Sequence, residues 1–317
     1  MTVKPERLRP GDKVGLVTPA SPLLDLRDID YARRALETLG FKVKLGKYLL
    51  RRHGFLAGTD TERAADLNAM FADPEVRGIF ATRGGYGSAR VLPHLDWDTI
   101  AANPKVLVGH SDLTALLTAV HQRTGLVTFW GPLAGYDLGR HASPFKARWL
   151  VRVLCETSPE LRLPRGLDNG RSRRWSRLAG EAPVSAPLTG GNLSLLASLT
   201  GTPWQVESAG RLLFIEDVDE EPYRMDRLLG QLEMSGKLRQ AAGVVVGRCV
   251  GCEGTGRMKR TFSLRQVLQG RLAGLGVPVV YGAPIGHEPD KITLPLGVNA
   301  CLDPSGTSLT LLESAVL

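Results

Sequence analysis

Three positions in this chain combine the right residue types for nucleophilic acyl chemistry. Ser111 follows the short apolar run Lys105-Val-Leu-Val-Gly-His and precedes a helical pattern that stops near Gly125. That is the strand-turn-helix context of a nucleophile elbow, in which a sharp turn lifts a hydroxyl above a sheet while the helix start offers free N–H groups to an oxyanion. The letters around it, Gly109-His-Ser-Asp-Leu113, lack the second glycine of G-x-S-x-G, and a plain helix N-cap is the competing reading. A serine nucleophile needs a base and a group that orients the base. Of the six histidines, His53, His94, His110, His121 and His141 read as surface or packing residues, whereas His287 sits just past an apolar strand in a Gly/Pro-rich loop that can aim a rigid imidazole. Glu216 is the first carboxylate after the apolar run Arg211 to Ile215; it is suited to fix an imidazole tautomer, or else it is one more solvated charge at a helix start.

Two further motifs carry weaker signals. Arg83-Gly-Gly-Tyr-Gly87 also links a strand to a helix, and its glycines allow close backbone approach to a ligand. Its spacing is not G-x-G-x-x-G and it has no P-loop Lys-Ser/Thr, so a phosphate cradle and an ordinary tight turn are its other readings. Cys249-Val-Gly-Cys252 has redox or zinc spacing, but no second pair or nearby histidine completes a site, and it reads as coincidence.

These residues must be held by elements, and the pattern names them. Up to about residue 155, β-branched runs alternate with helical ones: Lys13–Thr18 then Arg27–Leu39, Phe41–Leu45 then Asp60–Phe71, Val76–Thr82 then Ser88–Leu92, Lys105–Val108 then Asp112–Arg123. Such alternation predicts an α/β domain over 1–155 with a parallel, Rossmann-like sheet whose ligands lie beyond the strands' carboxyl ends. Residues 156–180 show no sustained period and read as a linker, and 181–317 as a second, smaller, β-rich domain that carries Glu216 and His287. Its expected elements include a strand at 211–215, an amphipathic helix near 223–234, and strands at 243–246 and 277–281.

Composition sets the class. With 317 residues, 43% apolar and 23% charged, and a mean hydropathy of −0.06, the chain reads as a soluble globular protein of about two domains. No secretion signal or membrane-length apolar run is visible, and four scattered cysteines suit a reducing compartment, so the cytoplasm is expected. The net charge is +8. Ten basic against three acidic residues between Arg140 and Arg177 supply nearly all of that excess, which predicts a solvated interdomain connection rather than a nucleic-acid face.

Taken together, Arg9-Pro-Gly-Asp-Lys-Val-Gly-Leu-Val-Thr-Pro-Ala-Ser-Pro22, Phe55-Leu-Ala-Gly-Thr-Asp60 with Arg63, Arg83-Gly-Gly-Tyr-Gly87, Gly109-His-Ser-Asp112, Gly131-Pro132, Gly190-Gly-Asn-Leu193, Glu216-Asp217 and Gly286-His287 resemble the LD-carboxypeptidase family of serine peptidases nearly end to end. His110 departs from the aromatic residue usual before the serine. The resemblance implies a Ser111–Glu216–His287 triad, an oxyanion hole from the backbone N–H groups of Gly85 and Asp112, no metal, no cofactor and a homodimer. It implies removal of a terminal D-amino acid across an L,D bond from a murein tetrapeptide, or, in related members, hydrolysis of microcin-type peptide nucleotides. Recognition of a terminal carboxylate would call on Arg83 and Lys291. The non-enzyme alternative is a nucleotide-binding module built on Arg83 to Gly87.

Overall fold

The computed structural model describes residues 2–164, 175–254 and 261–317, which divide into two compact units. Unit one holds Met1–Ser158, Ile292–Gly297 and Ser314–Leu317; unit two holds Pro159–Lys291 and Val298–Glu313.

The first unit follows the strand-helix alternation: β1 (Lys13–Val17), α1 (Arg27–Thr38), β2 (Lys42–Leu45), α2 (Asp60–Ala72), β3 (Val76–Ala81), α3 (Trp97–Ala102), β4 (Val106–Gly109), α4 (Thr114–Thr124), β5 (Thr128–Trp130) and α5 (Pro144–Leu154). These strands run parallel in the order β5-β4-β3-β1-β2. All four residues of β4 are buried, as are all but one of β3, which is why both read as continuous apolar runs. The order reverses at β1 and β3, so their carboxyl ends splay into a crevice. Helix starts are chemically specified: Thr59 caps α2 in a reciprocal capping box with Glu62, and Asp96 accepts from Thr99 N–H to start α3.

The second unit comprises β6 (Leu161–Arg162), β7 (Ser176–Ala179), β8 (Val184–Asn192), α6 (Leu193–Ser198), β9 (Leu212–Glu216), α7 (Pro222–Met234), β10 (Gly243–Arg248), α8 (Leu264–Leu272) and β11 (Val279–Gly286). Next in sequence, β12 (Leu294–Leu296) adds antiparallel to β5 in the first unit's sheet. Finally, β13 (Asn299–Asp303) and β14 (Ser308–Leu311) complete the second sheet, ordered β6-β14-β13-β8-β9-β10-β11-β7. Its centre, β8 to β11, is parallel and its flanks are antiparallel. The core under this sheet packs Leu229 and Leu232 of α7 and Leu268 of α8 against Leu213, Val244 and Val279 of the strands.

Within the stretch 156–180, read from the sequence as a linker, β6 and β7 are therefore strands, paired with residues 279–281 and 310–311. Arg165, Arg171, Arg173 and Arg174 lie outside the described residues. The basic stretch also departs from a purely solvated segment: Lys146 is fully buried and donates to the His141 carbonyl, and Arg140 clamps Asp28 at 2.7 Å and 2.9 Å. Among the described residues no helix is long and apolar enough to cross a membrane.

Candidate active site

In the first unit, β4 ends at Gly109, where an added Cβ would lie 2.7 Å from the Leu113 side chain, so only glycine admits the tight turn that follows. His110 is extended and buried, its ring edge-on to Trp130 at 4.4 Å between centroids. The aromatic packing expected at this position is thus supplied by an imidazole. Ser111 then adopts φ +61°, the left-handed region that L-residues seldom occupy. A short 3₁₀ turn, Ser111–Leu113, leads into α4, which ends on Gly125 at φ +75°. A strained serine between a buried strand and a helix is the backbone form of a nucleophile elbow.

The glycine turn after β3 lies against this elbow. A Cβ on Gly84 would come 3.2 Å from Ser111 Cβ and 3.5 Å from the Asp112 nitrogen, and Gly85 has φ +103° with Ser21 Oγ only 2.5 Å from where its Cβ would be. The loop after β1 fixes the turn from the other side, because Ser21 N–H donates to Gly84 O and Tyr86 N–H to Ser21 Oγ. The Asp112 carboxylate, buried, accepts from Gly87 N–H at 3.2 Å and Ser88 N–H at 2.8 Å, while Ser88 Oγ donates to the Asp112 carbonyl. Burial pushes the Asp112 carboxyl up from its ordinary value against these donors. Buried Arg63 ties the same region together by donating to the carbonyls of Pro19 and Gly87 and pairing with Asp60. Asp112 thus has a side-chain role that its sequence position did not suggest.

In the second unit, Glu216 is the last residue of β9 and is fully buried. Its Oε2 lies 2.9 Å from Nδ1 of His287, the residue directly after β11. With the Glu216 carboxylate as acceptor, this contact calls for the ring proton on Nδ1, which makes Nε2 the ring's acceptor nitrogen. Room for the carboxylate comes from two glycines: a Cβ on Gly286 would meet Glu216 Oε2 at 2.9 Å, and one on Gly247 would meet Glu216 Cβ at 3.1 Å.

Asn192, in register with Glu216 at the end of β8, donates from Nδ2 to Glu216 Oε1 at 3.2 Å and to Asp217 Oδ1 at 3.0 Å. Its own Oδ1 caps α6 by accepting from Leu195 N–H. Asp217 is held in turn by Ser194 N–H and Oγ. No chemical role for Asn192, Ser194 or Asp217 follows from the sequence; an Asn closing a strand in register with the acid is the only signal.

Of the remaining expected contacts, Arg83 is half-buried, donates to Pro22 O at 2.8 Å and borders a cavity of about 240 Å³ in the first unit with Asp28, Tyr136 and Arg140. Burial lowers its guanidinium's proton affinity. Lys291 is buried, at 2% exposure. Cys249 and Cys252 are free, buried thiols whose proton affinity burial raises, the second to about 12, which does not suit a thiolate nucleophile.

The first unit holds an α/β elbow serine and the second a buried carboxylate–imidazole pair, residue types that serine peptidases use. Residues 14–131 match the LD-carboxypeptidase N-terminal domain and 185–302 the LD-carboxypeptidase C-terminal domain, and the chain belongs to this family of peptidases. A Bacillus subtilis (strain 168) protein described as a probable murein peptide carboxypeptidase is 42% identical over 96% of this chain and 92% of its own length. Among solved structures, a microcin C7 self-immunity protein in complex with adenosine monophosphate superposes with a TM-score of 0.88 at 27% identity, covering 99% of this chain and 100% of that one. The muramoyltetrapeptide carboxypeptidase of Oxalobacter formigenes gives 0.81 at 31% identity, covering 94% and 97%.

Proposed function

We propose that this chain is a serine carboxypeptidase that removes the terminal D-amino acid from the L,D peptide bond of a murein tetrapeptide in peptidoglycan recycling, as a cytoplasmic homodimer. The observation that carries the reading is the 2.9 Å contact between His287 Nδ1 and the buried Glu216 carboxylate, which leaves Nε2 as a general base. Ser111 is the nucleophile. His287 takes its proton as it attacks the scissile carbonyl, the N–H groups of Gly85 and Asp112 hold the tetrahedral oxyanion, and the imidazolium then protonates the departing amine of the D-amino acid. Water, activated by the same histidine, releases the acyl group from Ser111. Glu216 remains ionised and orients the ring throughout. Arg83 and Lys291 are the cations assigned to the substrate's free terminal carboxylate, whose unpaired burial would cost several kcal/mol. The relatives described as murein or muramoyl peptide carboxypeptidases, one of them as probable, support this substrate over a peptide nucleotide.

The test compares a tetrapeptide ending in free D-alanine with its C-terminal amide, with an all-L analogue and with a peptide-nucleotide amide. Preference for the free D-alanine peptide, undiminished in chelator, is expected, as is a loss of at least about a thousandfold in Ser111→Ala and His287→Ala. Equal turnover of the three peptides would refute the carboxypeptidase reading, and faster cleavage of the nucleotide conjugate would favour the immunity function. Fractionation and light scattering test the compartment and the dimer.

A further inference from the structure

The cavity of about 240 Å³ that Arg83 borders lies wholly in the first unit, just past the carboxyl ends of β1 and β3, and Leu23, Leu24, Arg83, Tyr136, Asp28 and Arg140 are among its walls. One wall is a seven-residue π-helical turn, Ala134–Arg140, in which Leu138 N–H bonds to Leu133 O and His141 N–H to Tyr136 O. Such turns are rare and occur frequently at functional sites. Gly135 seats this one on the end of β3: its N–H donates to Thr82 O at 3.0 Å, and a Cβ would stand 2.9 Å from the same oxygen. The loop after β1 forms a second wall and is tied to the glycine turn where Arg83 Nη1 donates to Pro22 O at 2.8 Å. Asp28 is already engaged by Arg140 at 2.7 Å and 2.9 Å. Leu24 and Tyr136 keep 77% and 52% of their surface exposed, so the mouth of the cavity is apolar beside a guanidinium.

This cavity adjoins the elbow through Arg83 itself, the residue before the glycine pair. Its Nη2 lies 3.8 Å from where a Gly85 Cβ would be, and a Cβ on Gly84 would lie 3.2 Å from Ser111 Cβ. In a peptide the terminal carboxylate follows the scissile carbonyl by one residue, a span of at most about 3.6 Å. A substrate whose oxyanion sits on Gly85 N–H therefore carries that carboxylate to the Arg83 guanidinium, and the last side chain falls into the space that Leu23, Leu24 and Tyr136 enclose. Size then matters. A cavity of about 150 Å³ already accepts a benzene molecule, so the single methyl of alanine leaves most of this larger one to water, while a branched or thioether chain covers its apolar walls. We propose that the cavity receives the side chain of the leaving residue, and that the preferred substrates are peptides ending in apolar D-amino acids larger than alanine, D-leucine and D-methionine among them. This assignment rests on the carboxypeptidase reading and names the leaving residue that the site favours.

The experiment measures kcat/KM for three tetrapeptides that differ only in the last residue: D-alanine, D-leucine and D-methionine. The wild-type enzyme is expected to cleave the D-leucine and D-methionine peptides about tenfold faster than the D-alanine peptide, the low end of what added methylenes bring in an apolar pocket. Leu24→Ser and Tyr136→Ala, both at exposed positions, are each expected to bring those ratios below about threefold. A wild-type ratio below about threefold for either peptide overturns the assignment while leaving the carboxypeptidase reading intact, and hydrolysis of none of the three overturns both. A preference that survives both substitutions overturns the placement of the side chain in this cavity. Because the substrate series is read on the wild-type enzyme, its outcome stands even if a variant does not fold.

Discussion

Glu216→Gln isolates one step of the reaction, because the structure dictates which way the new amide must point. Asn192 Nδ2 is a donor only, and it faces Glu216 Oε1 at 3.2 Å, so the introduced carbonyl oxygen is drawn towards Asn192. The introduced NH₂ then faces His287 Nδ1, where the carboxylate oxygen now sits at 2.9 Å. Facing a donor, Nδ1 must accept, and the ring proton moves to Nε2, the atom that has to receive the serine proton. The wrong tautomer in a serine triad costs about 10,000-fold in kcat, which is about 5 kcal/mol of transition-state stabilisation. Volume is nearly conserved, so the melting temperature is expected to stay within about 4 °C, the shift of roughly 1 kcal/mol in a protein of this size. D-alanine release, followed by a coupled D-amino acid oxidase assay, reads the rate. A variant that retained more than a tenth of wild-type kcat would refute the tautomer argument.

Ser111→Gly should abolish turnover yet unfold at about 0.5 kcal/mol higher stability than Ser111→Ala, because glycine relieves the left-handed φ of +61°; a less stable glycine variant in denaturant titration would contradict the strain. Gly190→Ala should cost at least about 3 kcal/mol, since its Cβ would lie 1.9 Å from the Phe214 carbonyl oxygen in the middle of the β8–β9 ladder, whereas Gly210→Ala meets nothing within 4 Å and should cost about 1 kcal/mol. Burial lowers the Lys105 amine to about 8 although its Nζ donates to the Met70 and Asp73 carbonyls. Between that value and the ordinary 10.5 the unfolded chain binds more protons, so the stability of wild type relative to Lys105→Met should rise with pH across this window, by up to about 3 kcal/mol, and thermal melts at pH 7, 9 and 10.5 would show it.

How far the sequence reaches depends on whether a signal is local. The strands β1, β3 and β4 announce themselves because each is an apolar run followed by a helical period within the same thirty residues. Glu216 and His287 stand out for a related reason: each closes an apolar strand, and strand ends are where a parallel sheet keeps its chemistry. What escaped is non-local. The two residues of β6 and the four of β7 carry no period of their own and are strands because residues 310–311 and 279–281 pair with them. Leu294-Pro-Leu296 likewise is a strand only by virtue of β5. Asn192 looks like a helix cap in any sequence reading, and its hold on Glu216 comes from a register, Asn192 opposite Glu216, set by β8 and β9 together.

The pairing of β12 with β5 also sets a timetable for synthesis. Thr128–Trp130 leaves the ribosome with one edge of its ladder open, and the residues that cover it, Leu294–Leu296, are made roughly 160 positions later. At 5–20 residues per second that edge waits on the order of 10 to 30 s. During this interval the nascent first unit presents a Thr-Phe-Trp strand, wholly buried in the finished protein, whose ladder is closed by β4 on one side and open on the other. A fragment ending at residue 158 would present the same edge permanently, so it should aggregate where the full chain does not, and supplying a peptide spanning residues 290–299 during its refolding should suppress that aggregation.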